Sequence, residues 1–321
     1  MTKNRMIDTK QIGVAALVLL TAVIGGVLIT KHIRDDDSMQ DVNILNKGMD
    51  KPILWIYVND SDVNSRWWAD FGARSAHVLN VPFLNLCYQS IVKGCAKDYR
   101  IEVIGGLSDL ATRMGGWHAL PTPLQNPQTI VREPELNWIR AAVLAKWGGL
   151  WVSPSTVFIK ELGPLPPDRT VFFGTDDEVT VSGKAGTPVP GLRVVWAPAP
   201  DLPIWITWEA KVRRRLERRS GGSEFRHDEK ADLADALVGG GSEVRPMAEL
   251  GRTSAGKRIQ LEDILAAGQD GVVPFAIGSA VYLPVPWPEI LERRAFGWFL
   301  RLSEEQILSS DLAISSILRR I

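Results

Sequence analysis

Cysteine and histidine are scarce in this chain, with 2 and 4 copies in 321 residues. That scarcity leaves no zinc pattern, since two cysteines and four scattered histidines provide no ligand cluster. Cys87 and Cys95 leave two arrangements open. They pair across a short loop in an oxidising compartment, or Cys87 is buried on a helix and Cys95 lies free beyond Gly94. An excess of charge of one sign is missing as well, since 37 Lys plus Arg balance 37 Asp plus Glu. Nothing global therefore recruits nucleic acid or another polyanion. Tyrosine is rare too, with 4 residues against 12 tryptophans. Most of those tryptophans belong in a core, and some suit a sugar-binding cleft, where ring faces stack on C–H surfaces. No internal repeat is visible. The length allows one large domain or two modest ones.

Charged side chains are absent from residues 12–30, which are rich in Val, Leu, Ala and Ile. As a helix this stretch would span about 28 Å, close to a hydrocarbon core of roughly 30 Å. It exceeds the 7–15 apolar residues typical of a signal core, and no small-x-small cleavage site precedes the charged flank. The expectation is a single-pass anchor touching membrane lipid. Lys3, Arg5 and Lys10 precede it and Lys31 and Arg34 follow, so the positive-inside rule favours a cytoplasmic amino terminus. The body then lies on the non-cytoplasmic side, a type II layout.

The order of elements predicts an α/β fold. Residues 1–11 form a short tail, 12–30 the transmembrane helix and 31–50 a polar stalk. The α/β body runs over 51–219, a Gly/Ser-rich insertion over 220–260 and a helical carboxyl-terminal portion over 261–321. Within the body, 52–58 reads as an apolar strand closed by a turn carrying Asp60 and Asp62, which are solvated turn residues. A helix is predicted at 86–93, a strand at 99–104 and a second helix at 108–114, stopped by Gly115-Gly116. A Pro-rich loop follows over 121–134. Further strands are predicted at 171–174 and 192–197, and another helix at 203–219.

The passage from Asn137 to Val157 is the most specific. Leu136, Ile139, Val143 and Trp147 recur at helical spacing, and Gly148-Gly149 can take a left-handed cap. Leu150, Trp151 and Val152 form a short strand that Pro154 interrupts. Ser153 and Ser155 are thereby delivered to the carboxyl end of a strand, where open α/β sheets bind ligands.

This passage resembles the core of the capsular-polysaccharide-synthesis and α-mannosyltransferase-like glycosyltransferases. Their pattern is S-D-x-x-R, Y-G-G, then a strand ending in D-x-D or D-A-T. Arg140, Trp147-Gly148-Gly149 and Leu150-Trp151-Val152 match it. Asn137 stands where the family has Asp, and Ser153 and Ser155 stand where it has metal-binding carboxylates. Trp55 and Tyr57 match the aromatic first strand that opens the nucleotide-binding half, and Cys87 and Ser90 echo a Cys-x-x-Ser. The resemblance spans about 52–219. It implies a nucleotide-sugar-transferase (GT-A-like) mixed sheet flanked by helices, a nucleotide-sugar donor and a glycan acceptor. It also places Asn137, Arg140, Ser153, Ser155, Trp55 and Tyr57 at the donor site.

Neutral hydroxyls are poor ligands for the hard cations, Mn²⁺ or Mg²⁺, that neutralise a departing diphosphate. Two replacements are open. Asp176 and Asp177, at the end of the 171–174 strand, are the catalytic candidates and would hold a metal if they replace the lost motif. Alternatively Arg140, Arg132 or Arg193 neutralises the diphosphate without one. The alternative function is non-catalytic. In it, a membrane-anchored structural or assembly protein of a cell envelope or virus particle reuses the fold and binds protein partners. A weaker third option is a glycan-binding module that keeps the acceptor cleft alone. Gly251 to Arg258 fits G-x-x-x-x-G-K by coincidence, since Arg258 replaces the required Ser or Thr. The basic run at 211–219 is a solvated helix end, with contact to lipid headgroups as a second use.

Overall fold

The computed structural model describes residues 50–59, 82–176, 189–218, 233, 241–245, 259–267 and 281–321. Contacts divide the chain into Met1–Lys51 and Pro52–Ile321, and the second unit carries everything below. The expected anchor at 12–30, Asp60, Asp62, Asp177, Arg219 and the 251–258 motif lie outside the described residues. Among the described residues no helix is long and apolar enough to cross a membrane.

Among the described residues the centre is a mixed sheet of six strands: β1 (Ile53–Val58), β2 (Arg100–Gly105), β3 (Gly149–Val152), β5 (Thr170–Phe173), β8 (Val194–Ala197) and β9 (Ser242–Arg245). Their order is β2-β1-β3-β8-β5-β9. Strands β1, β2 and β3 are parallel, β8 runs against both β3 and β5, and β9 runs with β5. One strand, β8, therefore opposes the other five. Strand β9 falls inside the Gly/Ser-rich stretch, so part of the expected insertion belongs to the sheet.

Both faces are covered over the inner strands β1, β3, β8 and β5, which is why these are buried nearly throughout rather than alternating, while the edge strands β2 and β9 carry charged residues. Trp55, Tyr57, Trp151, Phe172 and Val195 point to one side. There they meet α2 (Gly106–Met114), α3 (Glu133–Trp147) and α4 (Pro203–Glu217). Leu54, Ile56, Val58, Leu150, Val152, Val171 and Phe173 point to the other side, against α1 (Pro82–Cys95) and the ribbon of β4 (Thr156–Phe158) with β10 (Tyr282–Pro284). Helix α1 buries Phe83, Leu84, Leu86, Cys87, Ile91 and Cys95, on two adjoining stripes at three- and four-residue spacing. Both thiols are free and buried. Ser90 Oγ accepts from Phe158 N at 3.1 Å and donates to Cys87 O at 2.6 Å, tying α1 to β4.

The remaining face of α1 receives the carboxyl-terminal portion: α5 (Leu261–Leu265), α6 (Trp287–Glu292), α7 (Glu304–Ser309) and α8 (Ala313–Leu318). Ile264, Leu283, Trp287, Ile290, Phe299, Ile307, Ile314 and Ile317 pack with Phe83, Leu84 and Leu86 in one cluster. Among the described residues of 261–321 the chain forms these short helices, two 3-10 turns and β10.

The Trp-Gly-Gly passage has a steric explanation. Gly148 and Gly149 both sit at positive φ, 64° and 95°. A Cβ on Gly149 would lie 2.4 Å from Ile53 O, and one on Gly148 would lie 2.7 Å from the Ala199 carbonyl carbon. Both obstacles are backbone, so only glycine lets α3 turn directly into β3 beside β1. Trp55 Nε1 then donates to Gly148 O at 2.9 Å, and the Trp55 and Trp147 rings lie 5.1 Å apart.

Candidate functional site

Five strands of the sheet end at one edge, and the single antiparallel strand begins there. Val152 at the end of β3 pairs with Val194 at the start of β8. This register sets Arg193 beside Ser153, whose N–H donates to Arg193 O at 2.8 Å. The chain then turns at Pro154, with Thr156 N donating to Ser153 O at 3.2 Å.

Ser155 is buried, 4% exposed, and its hydroxyl is engaged twice. It donates to Val285 O at 3.0 Å and accepts from Arg193 Nη1 at 2.9 Å. Arg193 Nη1 also donates to Val285 O at 3.0 Å. Val285 N returns a bond to Ser155 O at 3.1 Å. Hydroxyl, guanidinium and the strand end beyond β10 thus form a closed triangle. Ser153 is half-buried next to it.

Helix α3 runs back against β3, so its first turns lie at the same edge. Asn137 and Arg140 are both buried there. Arg140 Nη1 donates to Asn137 Oδ1 at 2.5 Å and lies 3.8 Å from the exposed Glu133 carboxylate. Its guanidinium stands 5.5 Å from the Trp151 ring centre, a cation–π arrangement. Arg140 Nε and Trp151 Nε1 are buried donors that find no acceptor. Burial pushes the Arg140 pKa down to about 10, Glu133 opposes that, and Arg193 adds to it by like-charge repulsion. Arg140 therefore stays charged at neutral pH, and it feels Arg193.

The other candidates fall into three places. Trp55 and Tyr57 are 3% exposed each and belong to the core against α2, α3 and α4. Asp176 lies in β6 (Thr175–Asp176), which pairs with β7 (Val189–Pro190) on the hairpin leaving β5. Asp177 lies outside the described residues, and Arg132, at the start of α3, is exposed. The structure thus joins Asn137, Arg140 and Trp151 in one group, and Ser153, Ser155 and Arg193 in another beside it. Sequence reasoning named Arg193 as one of three arginines but had no signal for Val285, 130 residues from Ser155.

The donor set does not fit a divalent metal. Ser155 offers a hydroxyl already bonded to a cation, and no carboxylate stands at the turn. Among the described residues no group of three or more His, Cys, Asp or Glu could hold a metal. A divalent ion about 4 Å from the Arg193 guanidinium would be repelled by roughly 8 kcal/mol at an effective dielectric of about 20.

No family model matches the chain, and no curated protein matches it. Among solved structures it is similar to one titled PaToxG Glycosyltransferase, at 13% identity and a TM-score of 0.35, covering 66% of this chain and 80% of that one. It is also similar to a structure described as a transferase mutant, at 10% identity and a TM-score of 0.33, covering 60% of this chain and 86% of that one.

Proposed function

We propose that this chain is a glycosyltransferase-like protein that takes a sugar from a nucleotide-sugar donor in glycan or polysaccharide assembly. The supporting observation is the helix–Gly-Gly–strand passage. It brings Asn137 and Arg140 from the start of α3, and Ser153 from the end of β3, to one edge of a mixed sheet. A GT-A-like fold and membership of the capsular and mannosyltransferase-like group are part of the same reading, as is the donor site on those residues. Residues 12–30 are proposed to anchor the protein in the membrane as a type II single pass. The body then meets its glycan acceptor on the non-cytoplasmic side.

Calorimetric titration of the full chain in detergent micelles with UDP and GDP tests this reading. Saturable binding of one nucleotide is expected, weakened at least about tenfold by Arg140→Met, since a charge-assisted hydrogen bond is worth 1.5–3 kcal/mol. No binding by folded protein would sink it.

A second reading has its own support. Arg140 and Trp151 are almost fully buried, and Ser155 is tied internally. A site closed in this way suits a non-catalytic membrane-anchored structural or assembly protein of an envelope or particle, binding other proteins through its surface. Failure to bind nucleotide would favour it.

A further inference from the structure

The metal that the resembled family implies does not suit this turn, and the group lying there instead is itself a cation. We propose that Arg193 is the resident cation of the site, standing at the Ser153–Ser155 turn in place of a divalent metal. Diphosphate is then held without metal. The identity of this ligand rests on the transferase reading above; the exclusion of metal does not.

Topology puts the arginine there. The one antiparallel strand of the sheet begins where its neighbours end, so the residue preceding β8 lies beside the residue following β3. Arg193 then bonds the Ser155 hydroxyl at 2.9 Å and Val285 O at 3.0 Å, which fixes its guanidinium against the turn. A second guanidinium, Arg140, is buried at the same edge and is electrostatically coupled to the first. A metal ion would add charge beside two cations, and among the described residues it would find hydroxyl and carbonyl oxygens already bonded but no carboxylate cluster, a poor donor set for a hard cation. A diphosphate meets the opposite situation, because guanidinium is the side chain best shaped for phosphate oxygens.

The arrangement also predicts how metal binding could be created. Carboxylates placed by Ser153→Asp and Ser155→Asp would pair with Arg193 rather than take up metal. Adding Arg193→Ala would release them.

The test is Mn²⁺ binding to the full chain in detergent micelles, read by electron paramagnetic resonance, with folding of each variant checked by circular dichroism. The wild type is expected to bind no Mn²⁺, and the two serine substitutions together are expected to bind none. With Arg193→Ala added, the expected result is one Mn²⁺ per chain. The wild type supplies a second arm that needs no variant to fold. In that arm pyrophosphate and UDP should each bind as tightly in EDTA as in Mn²⁺, with UDP the tighter of the two; separately, Arg193→Met should weaken both at least about tenfold. Stoichiometric Mn²⁺ on the wild type, lost in Asp176→Asn with Asp177→Asn, would overturn the proposal. So would Mn²⁺ on the two-serine variant while Arg193 remains, or absence of pyrophosphate binding to the folded wild type. Pyrophosphate binding as tightly as UDP would leave the resident cation standing and count against the nucleotide-sugar reading instead.

Discussion

Ser155 and Gly149 show how differently two residues of one passage act. Ser155 joins three segments through a single oxygen, and its loss leaves Val285 O still bonded to Arg193. Ser155→Ala should therefore cost about 1 kcal/mol, the ordinary net worth of a hydrogen bond. Gly149 is fixed by sterics, with φ at 95° and a backbone oxygen 2.4 Å from where a Cβ would sit. Gly149→Ala should cost on the order of 3 kcal/mol, because left-handed strain and a backbone clash act together. Urea unfolding of both variants checks the contrast, and equal losses would contradict it. The glycine pair was legible in the sequence as a helix stop. Its further role, letting β3 lie against β1, depends on Ile53, which lies far away along the chain.

At the scale of elements, helices α3 and α4 are held by more than apolar contact. Trp138 Nε1 donates to Glu209 Oε1 at 2.6 Å, and Arg213 Nε donates to the same oxygen at 2.8 Å. The Arg213 guanidinium also lies 4.9 Å from the Trp138 ring centre, while its Nη2 reaches Ala119 O at 2.9 Å. Arg213, expected as part of a solvated basic face, instead clasps two helices and the 3-10 turn Trp117–Ala119. Trp138→Phe and Glu209→Gln share this network. A double-mutant cycle should show them non-additive by about 1 kcal/mol, and strict additivity would mean the clasp contributes nothing. Most elements were readable from their own residues. Helix α3, strand β3 and strand β8 each carry an apolar period or run bounded by Gly or Pro. Strand β9 was not readable, because Ser242, Glu243 and Arg245 have little strand propensity and are held by pairing with β5.

For the whole molecule, buried titratable groups set a limit on the alkaline side. Burial raises the Cys95 thiol from 9.0 to about 12 and pushes the Cys87 thiol higher still. Burial likewise raises the Tyr282 phenol above its usual 10.0. These are acids whose folded pKa lies above the unfolded one. The unfolded chain therefore releases protons first as pH rises, and stability falls. Stability should be flat with respect to these groups below pH about 9 and should decline steadily above it. Melting temperatures at pH 8, 9 and 10.5 check this, and a Cys87→Ala, Cys95→Ala variant should lose part of the decline. An unchanged slope in that variant would remove the thiols as the cause. The same burial predicts that neither thiol reacts with an aromatic disulfide reagent while the protein is folded, since the thiolate is the reactive form.

The sequence alone determined what local chemistry can determine. Apolar runs fixed which segments pass through the core, the Gly-Gly pair fixed where helix gives way to strand, and Pro154 fixed where that strand stops. The serines at 153 and 155, where the resembled family has carboxylates, were also visible directly, because that is a matter of residue identity. Tertiary structure decided what meets them. Arg193 meets Ser155 because β8 runs against β3, and a strand's direction within a sheet is set by connections and pairing energies spread over the whole fold. The same holds for Val285, which reaches Ser155 because β10 pairs with β4 in a register that sets Pro284 opposite Thr156. Such contacts join residues far apart in the chain, and no local pattern encodes their meeting.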